Sequence, residues 1–399
     1  MKKTFVIFLL IFYSNTVSAQ DAQIHNWVGT WSTAPQLVEP NNMPPDPGLT
    51  NNTLRQIVRV SIGGDLLRFR FSNTFSEQPV TMKSVTIANS CNGSVVDVST
   101  QKPLTFQGER NVTMQPGEIV ISDPVVFSLT AGSRLAVTIY FGETSATVTG
   151  HPGSRTTSYI LTGDQSASVD FSKAIKTDHW YVINGIDVEA PPEAAAIAIL
   201  GNSITDGRGS GTNKQNRWTD VLSERLLNNA ATSRYSVLNL GIGGNRVIHG
   251  GLGPTALDRF DRDILTQSGV RWLLILEGIN DIGGAKTEET ALQVVNDLID
   301  AYSLMIEKAH AKGIKVFGCT ILPFEGSFYD TPFRQEARDK VNDWIRNSGK
   351  FDAVIDFDQV MCSAAAPKKM QSDLHDGDLL HPNELGYKKM GEAIDLHFY

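Results

Sequence analysis

Hydrophobic and polar residues alternate over short stretches in the first half of the chain. Leu67, Phe69 and Phe71 are separated by arginines, which is the period of a strand with one buried face. Comparable β-rich runs, divided by Gly, Pro, Asn and Asp, cover residues 54–61, 66–71, 80–88, 119–122, 125–129 and 135–141. Short strands interrupted by turn residues predict an antiparallel β-sandwich.

The pattern changes at residues 189–193, where Pro191 and Pro192 disfavour both a helix and a central strand. Beyond them, buried-strand runs alternate with stretches of helical period. Strands are predicted at 195–200, 235–240, 272–276, 315–321 and 353–357, and helices at 218–228, 256–266, about 288–312, 334–346 and from about 382 towards 396. Five strands alternating with helices predict an α/β fold with a five-stranded parallel sheet covered on both faces.

The first nineteen residues have the pattern of a signal peptide. Lys2 and Lys3 precede an apolar run, 4–13, that is too short to span a bilayer, and small residues at 17 and 19 fit a cleavage site before Gln20. An N-terminal membrane anchor is the alternative. We therefore expect a signal peptide (1–19), a β-sandwich accessory domain (20–190) and an α/β domain (191–399), in a soluble protein exported to the periplasm or the extracellular space.

Composition removes several classes of function. The net charge of the 399 residues is −8, and the chain has no long run of Lys or Arg, which argues against nucleic acid or an anionic membrane surface as a partner. The three cysteines are too few for a disulfide framework, and their spacing fits no zinc motif. Phosphate-binding and dinucleotide-binding glycine motifs do not occur either, so we expect neither a metal nor another cofactor. No feature of the sequence indicates an oligomeric state.

Candidate chemistry follows the predicted strands, because the site of a parallel sheet lies beyond the carboxyl ends of its strands. Four segments come there: 201–207 (GNSITDG), 241–246 (GIGGNR), 278–281 (GIND) and 378–382 (DLLHP). Ser203 is the candidate nucleophile, His381 the base that takes its proton, and Asp378 the carboxylate that orients the imidazole. Spacing favours this pair over Asp373 and His375, since it directly precedes the last helix.

The same segments offer donors for an oxyanion. We predict the backbone N–H groups of Ser203 and Gly244 and the side chain of Asn280, with Gly241 or Gly243 as alternatives to Gly244. Losing one such donor typically costs roughly 3–4 kcal/mol in the transition state. Nearby polar residues are candidates for contact with the substrate; they are Arg208, Asn245 and His249.

These four blocks resemble the signature of the SGNH hydrolases, also called GDSL esterases: a Ser, a Gly, an Asn and a His with a nearby Asp. The blocks occur in order, each after a predicted strand, and the resemblance covers about residues 195–399. Asn202 departs from the pattern, since the family has Asp there. The resemblance implies a flavodoxin-like three-layer catalytic domain and a carboxylic-ester hydrolase that needs no cofactor. An N-terminal β-domain before such a domain also resembles exported bacterial SGNH esterases, some of which deacetylate plant polysaccharides such as xylan.

We therefore expect a secreted serine esterase that removes O-acetyl groups from a carbohydrate, its substrate being an acylated carbohydrate or a small ester. One alternative is a lipase or lysophospholipase-type acylhydrolase, which needs a long apolar acyl channel. The other is a carbohydrate-binding protein with a degenerate hydrolase domain. The presence of Ser203, Asp378 and His381 argues against that second alternative.

Overall fold

The computed structural model of the protein describes residues 25–399, and the predicted signal peptide lies outside these described residues. The first part is built from strands: β1 Trp27–Ser32, β2 Gln36–Leu37, β3 Asn52–Arg59, β4 Gly64–Ser72, β5 Val80–Asn92, β6 Val95–Val96, β7 Lys102–Pro103, β8 Val112–Met114, β9 Ile119–Ile121, β10 Val125–Leu129, β11 Arg134–Phe141, β12 Thr149–His151, β13 Ser158–Thr162, β14 Ile175–Thr177, β15 Trp180–Tyr181 and β16 Ile183–Glu189.

These strands pair in an antiparallel manner, as predicted. One sheet has the order β1-β16-β4-β10, with β9 beside β4. A second has the order β14-β13-β3-β11-β5-β6, and β7 and β8 pair with β5; the strands β15-β12-β2 form a small third sheet. Leu67, Phe69 and Phe71 of β4 are fully buried in the apolar cluster that also holds Leu54 and Val58 of β3. The alternation seen in the sequence therefore identifies the core face of β4 correctly.

The second part alternates strands with helices. Its strands are β17 Ala195–Gly201, β18 Tyr235–Gly241, β19 Val270–Leu276, β20 Lys315–Cys319, β21 Ala353–Ile355 and the short pair β22 Cys362–Ser363 and β23 Ala366–Met370. Its helices are α1 Ser203–Asp206, α2 Trp218–Leu227, α3 Ala256–Phe260, α4 Ile279–Gly284, α5 Glu288–His310, α6 Pro332–Asn347, α7 Phe357–Met361 and α8 Glu384–Ala393. No helix within residues 25–399 is both long and apolar enough to cross a membrane.

The order β18-β17-β19-β20-β21 makes a five-stranded parallel sheet, which confirms the predicted fold class. Alternate residues of β17 face opposite layers: Ala198 shares a buried cluster with α5 and α6, whereas Ile197 shares one with α2 and α8. The chain order reverses beside β17, so the crevice at the carboxyl end of β17 is the switch point where α/β sheets bind ligands.

The two parts of the molecule share buried contacts. The backbone N–H of Gly29 in β1 donates to the carbonyl of Ser268 at 2.9 Å, and Arg70 of β4 donates to Gln267 at 2.6 Å. Arg70 is 7% exposed. The arginine face of β4, which alternation alone would assign to solvent, is therefore covered by the second part of the chain.

Several short elements were not predicted. The predicted helix 256–266 is α3 followed by a π-helical turn, Asp261–Leu265. The predicted strand 353–357 ends at Ile355, because the side chain of Asp356 accepts a hydrogen bond from Gln359 N–H and begins α7. The helices α1 and α4 are also absent from the prediction, since four to six residues are too few to show a helical period.

Candidate active site

The candidate nucleophile lies at the turn between β17 and α1. β17 ends at Gly201, and Asn202 caps α1 by accepting the N–H of Ile204 at 3.0 Å. A Cβ at position 201 would come 2.1 Å from Thr205 Oγ1, so only glycine allows the chain to turn this closely. Ser203 thereby becomes the first residue of the helix, at the carboxyl edge of the sheet, with 8% of its surface exposed.

His381 and Asp378 reach Ser203 from the loop before α8. His381 Nε2 lies 2.8 Å from Ser203 Oγ, and His381 Nδ1 lies 2.6 Å from Asp378 Oδ2. The other carboxylate oxygen of Asp378 accepts the N–H groups of Leu380 and His381 at 2.9 and 2.8 Å. With Asp378 ionised, Nδ1 must carry the proton. Nε2 is then free to accept the hydrogen bond from the Ser203 hydroxyl.

The electrostatics of Asp378 and His381 suit a role of His381 as a base. Burial alone would raise the pKa of Asp378, but the hydrogen bonds from His381 and Leu380 outweigh it and hold that pKa at about 2. Burial lowers the pKa of His381, and the hydrogen bond and negative charge of Asp378 oppose this effect. At neutral pH the carboxylate is therefore charged and the imidazole is neutral, which is the state that can take a proton from serine.

Three predicted oxyanion donors converge on the same cleft. Gly244 has a φ of +69°, and within the described chain no protein acceptor takes its N–H or that of Ser203. One N–H of the Asn280 amide donates to the carbonyl of Asn245 at 2.7 Å, and Asn280 Oδ1 accepts the Tyr329 hydroxyl at 3.0 Å. These two bonds fix the amide plane, and within residues 25–399 its second N–H has no protein partner. Ser203, Gly244 and Asn280 all line the cleft.

Residues 199–389 match the model of the GDSL-like lipase/acylhydrolase family. Residues 199–389 are thus a domain of the SGNH hydrolase superfamily. Its enzyme class is accordingly that of the carboxylic-ester hydrolases. No curated protein sequence is significantly similar to the chain.

Solved structures similar to this SGNH hydrolase cover about half of it. A GDSL-like lipase from Bacteroides thetaiotaomicron is 22% identical, covering 51% of this chain and 87% of that one, with a TM-score of 0.35. A catalytic mutant of an acetylxylan esterase from Geobacillus stearothermophilus is 17% identical. The match covers 50% of this chain and 93% of that one, with a TM-score of 0.38. A member of the lipolytic G-D-S-L family from Veillonella parvula is 19% identical. The match covers 50% of this chain and 96% of that one, with a TM-score of 0.36.

A buried polar cluster lies beneath the SGNH blocks and was not predicted. The guanidinium of Arg259, fully buried, donates to the carbonyls of Gly201 and Leu240, at the ends of β17 and β18, and to the side chain of Asn245. It also lies 3.8 Å from the carboxylate of Glu277, just beyond β19. Arg259 thus ties the serine, glycine and asparagine blocks together from below. No local motif marks it, because its partners are distant in sequence.

Asn202, where the family has Asp, belongs to this cluster. Its Nδ2 donates to Glu277 Oε2 at 3.1 Å. Burial raises the pKa of Glu277 to about 8, against the opposing charge of Arg259. An Asp at position 202 would place a second carboxyl group against Glu277, whereas the amide supplies a donor. The departure from the family pattern therefore has a local physical reason.

The cleft in front of Ser203 has a volume of about 450 Å³ and is formed by both parts of the chain. The β-rich part contributes residues that sequence analysis did not identify: Gln36, Glu39, Asn42, Pro152, Gly153, Arg155 and His179. Within residues 25–399, no group of three His, Cys, Asp or Glu side chains is arranged to hold a metal ion.

His151 of the β-rich part holds the helix that carries the nucleophile. Its Nε2 lies 2.8 Å from Asp206 Oδ1, and its Nδ1 lies 2.9 Å from the carbonyl of Ala34. Both ring nitrogens of His151 therefore face oxygen atoms. Asp206 is the last residue of α1, one helical turn after Ser203. No sequence pattern indicates this pair, since its members are 55 positions apart.

Of the three residues predicted to contact the substrate, the structure places one in the cleft lining and two outside it. Arg208 lines the cleft. Asn245 does not: its side chain is buried and donates to the carbonyls of Leu252 and Pro254, which fixes the glycine turn. His249 is exposed and lies outside the cleft lining, because the loop turns outward after Val247. The alternative histidine, His375, accepts the N–H of Gly377 and does not reach Ser203.

Proposed function

We propose that this protein is an exported esterase that removes O-acetyl groups from a carbohydrate, with Ser203, His381 and Asp378 as its catalytic triad. The observation that carries the proposal is the continuous hydrogen-bonded chain from Ser203 Oγ through His381 to Asp378, which ends in an open polar cleft. Export is part of the proposal and rests on the first nineteen residues.

The reaction follows from these contacts. Ser203 Oγ forms a bond to the acetyl carbonyl carbon while His381 Nε2 takes the hydroxyl proton, and the carbonyl electron pair moves to oxygen. The N–H groups of Ser203, Gly244 and Asn280 hold that oxyanion. As it collapses, the bond to the sugar oxygen breaks and His381 returns the proton to the leaving alcohol. Water then attacks the acetyl-enzyme by the same steps and releases acetate.

The composition of the cleft favours a small acyl group. Its apolar side chains are few, namely Pro152, Leu252, Phe328 and Leu380, and the other lining residues are glycines or carry polar groups. Leu252 and Phe328 are themselves 48% and 67% exposed. An enclosed channel would gain roughly 0.8 kcal/mol for each methylene it buried. This cleft offers no such enclosure, whereas its polar groups suit sugar hydroxyls.

We further propose that residues 20–190 and 191–399 are two domains that form one catalytic unit. The first domain supplies one wall of the cleft, and the second supplies the triad. Shared buried contacts, such as those of Gly29 and Arg70, support their acting together.

An ester panel tests the proposed function on the full-length enzyme. p-Nitrophenyl esters from acetate to palmitate measure acyl preference, and acetate release from acetylated xylan and pectin measures action on polymers. We expect kcat/KM to be highest for acetate and to fall for acyl chains of eight or more carbons. The Ser203→Ala variant controls for contaminating hydrolases. Faster cleavage of octanoate than of acetate would replace the proposal with the lipase alternative.

A further inference from the structure

One arginine of the β-rich domain is held at the cleft by an unusual backbone. Arg155 follows β12 and has a φ of +49°, in the left-handed region that non-glycine residues rarely adopt. Its carbonyl accepts the N–H of Asn213 at 2.9 Å, and the side chain of Asn213 accepts the N–H of Thr157 at 2.9 Å. Gln215 donates to Thr156 at 2.8 Å. The catalytic domain thus grips the loop on both sides of Arg155 and fixes its position in the cleft wall.

The guanidinium of Arg155 has no acceptor in the described part of the chain. Its Nε is buried and makes no hydrogen bond, and the group forms no ion pair within residues 25–399. Buried donors are ordinarily paired. Neighbouring Arg217 shows the ordinary pattern: it donates to the carbonyls of Asp206 and Ser154 and lies 3.5 Å from Asp220. Arg155 is therefore a donor group that the protein itself leaves unused.

A second arginine belongs to the same cleft. Arg208 also lines the cleft, is exposed, and makes no side-chain hydrogen bond among the described residues. The buried Tyr387 hydroxyl donates to the carbonyl of Arg208 at 2.6 Å. Burial raises the pKa of that hydroxyl, and the charge of Arg155 opposes the rise, which places Arg155 near the same group.

The acidic groups of the cleft are already occupied. Glu39 accepts hydrogen bonds from Gln36 and Asn42, and Asp206 is paired with His151. The protein as a whole carries a net charge of −8. Among the residues that line the cleft, Arg155 and Arg208 are thus the guanidinium groups without an acceptor in the described part of the chain.

The position of the arginines tells which part of the substrate they face. Arg208 lines the same cleft as His381, the imidazole proposed to protonate the leaving alcohol. Burial lowers the pKa of His381, and the charge of Arg208 adds to this effect. Two of the three proposed oxyanion donors, Gly244 and Asn280, are provided by other segments of the cleft lining. An anion bound by Arg155 and Arg208 therefore belongs to the alcohol part of the ester, which is the carbohydrate.

We infer that Arg155 and Arg208 form a subsite for the carboxylate of a uronic acid residue, so that the substrate is an acetylated acidic polysaccharide. This inference rests on the proposed function and names its substrate class. A guanidinium presents parallel N–H donors that match the two oxygens of a planar carboxylate. A uronic acid carries that group on the sugar ring itself, within the same substrate as the acetyl ester.

Inhibition of p-nitrophenyl acetate hydrolysis tests the subsite without an acetylated carbohydrate. Glucuronic acid and glucose, which differ only in the carboxyl group at C6, serve as competing ligands. We expect glucuronic acid to inhibit the parent enzyme at least about tenfold more strongly than glucose, as one charged hydrogen-bonded pair provides. Arg155→Gln and Arg208→Gln should each reduce that difference. Arg110→Gln, which removes an exposed arginine of the same domain outside the cleft, should retain it. Equal inhibition by both sugars in the parent enzyme would refute the subsite.

Polymer substrates provide the second test. Acetylated glucuronoxylan is compared with the same polymer after its carboxyl groups are reduced to alcohols. We expect the parent enzyme to release acetate from the acidic polymer with a kcat/KM roughly 10- to 100-fold higher, and Arg155→Gln to lose most of this preference while Arg155→Lys keeps part of it. A parent enzyme without the preference would overturn the inference. Failure to release acetate from either polymer would contradict the proposed function instead, and the inhibition test would then decide the subsite alone.

Discussion

At the scale of single residues, the proposed catalysis depends on two short contacts, one on either side of the His381 imidazole. Ser203 and His381 are 178 positions apart in sequence, yet their side-chain atoms lie 2.8 Å apart. Serine is a weak nucleophile unless a neighbouring base takes its proton. The distance therefore matters more than the identity of the residues, because His375 in the same loop has the same chemistry and does not reach the hydroxyl.

Removal of Ser203 or His381 should abolish most of the activity. We expect Ser203→Ala and His381→Ala to lower kcat for p-nitrophenyl acetate by about 10⁴-fold or more, since the triad acts as a unit. His375→Ala is the matched control and should change kcat little. All three variants should melt close to the parent temperature. A larger loss in His375→Ala than in His381→Ala would show that the wrong histidine has been assigned.

The pH dependence of the reaction should report the buried imidazole. His381 must be neutral to accept a proton, and burial lowers its pKa from the ordinary value of 6.5. We expect kcat/KM for p-nitrophenyl acetate to rise with pH through a midpoint below 6.5. Asp378→Asn removes the interaction that raises this pKa, so the midpoint should move further down while kcat falls about 10⁴-fold. A parent midpoint above 6.5 would contradict this account.

At the scale of elements, the carboxyl ends of three adjacent strands are joined by one buried cluster. Arg259 donates to backbone carbonyls at the ends of β17 and β18, and Glu277 follows β19. Parallel strands alone would bring these ends to one edge of the sheet. The cluster adds a fixed spacing between the loops that carry the nucleophile and the oxyanion donors.

The stability of this cluster should depend on pH through Glu277. Its pKa is raised from 4.5 to about 8, mainly by burial. A carboxyl group of raised pKa stabilises the fold fully below its unfolded pKa, and this stabilisation is lost as pH rises towards 8. Glu277→Gln keeps the acceptor for Asn202 without the charge. We therefore expect the melting temperature of Glu277→Gln, relative to that of the parent, to increase from pH 5 to pH 8.

The matched control for that series is Glu109→Gln, which neutralises an exposed carboxylate. Its melting temperature should follow the parent at every pH. A constant difference between Glu277→Gln and the parent across pH 5 to 8 would show that Glu277 does not titrate in this range.

At the scale of the whole molecule, we propose that the β-rich domain is part of the active site. It forms one wall of the cleft, and its loop after β12 packs directly on the catalytic helix: a Cβ at Gly153 would come 1.8 Å from a carboxylate oxygen of Asp206. The term accessory domain therefore understates its role in our proposal, since the cleft is incomplete without it.

The pair between His151 and Asp206 should couple stability to activity. Both side chains are nearly fully buried, and leaving a buried polar group without its hydrogen-bond partner typically costs about 1–3 kcal/mol. We expect His151→Ala to lower the melting temperature and kcat together, because α1 also carries Ser203. His151→Gln keeps a donor and should recover part of both losses. His397→Ala, at a histidine side chain that is 96% exposed, is the control. Parental kcat in His151→Ala would exclude the positioning role.

The sequence by itself determines the elements and their order. Alternation in β4 and the long helical period of α5 are local patterns. The end of α5 is also marked locally, by Gly313, which has a φ of +72° where the chain leaves the helix. The four SGNH blocks are also local, and each follows a strand whose position could be predicted. Order along a parallel sheet then places all four blocks at one edge, which is why the triad candidates could be named from the sequence.

Only the tertiary structure decides which distant groups meet. Arg259 beneath the blocks, His151 against Asp206, and Arg155 in the cleft wall depend on contacts between segments that no local period connects. Asn245 also shows this. Its position beside the glycine turn suggested a substrate contact, but its amide N–H groups donate to backbone carbonyls. Burial and pairing are properties of the assembled layers, and they decide whether a polar side chain supports the fold or remains free for a ligand.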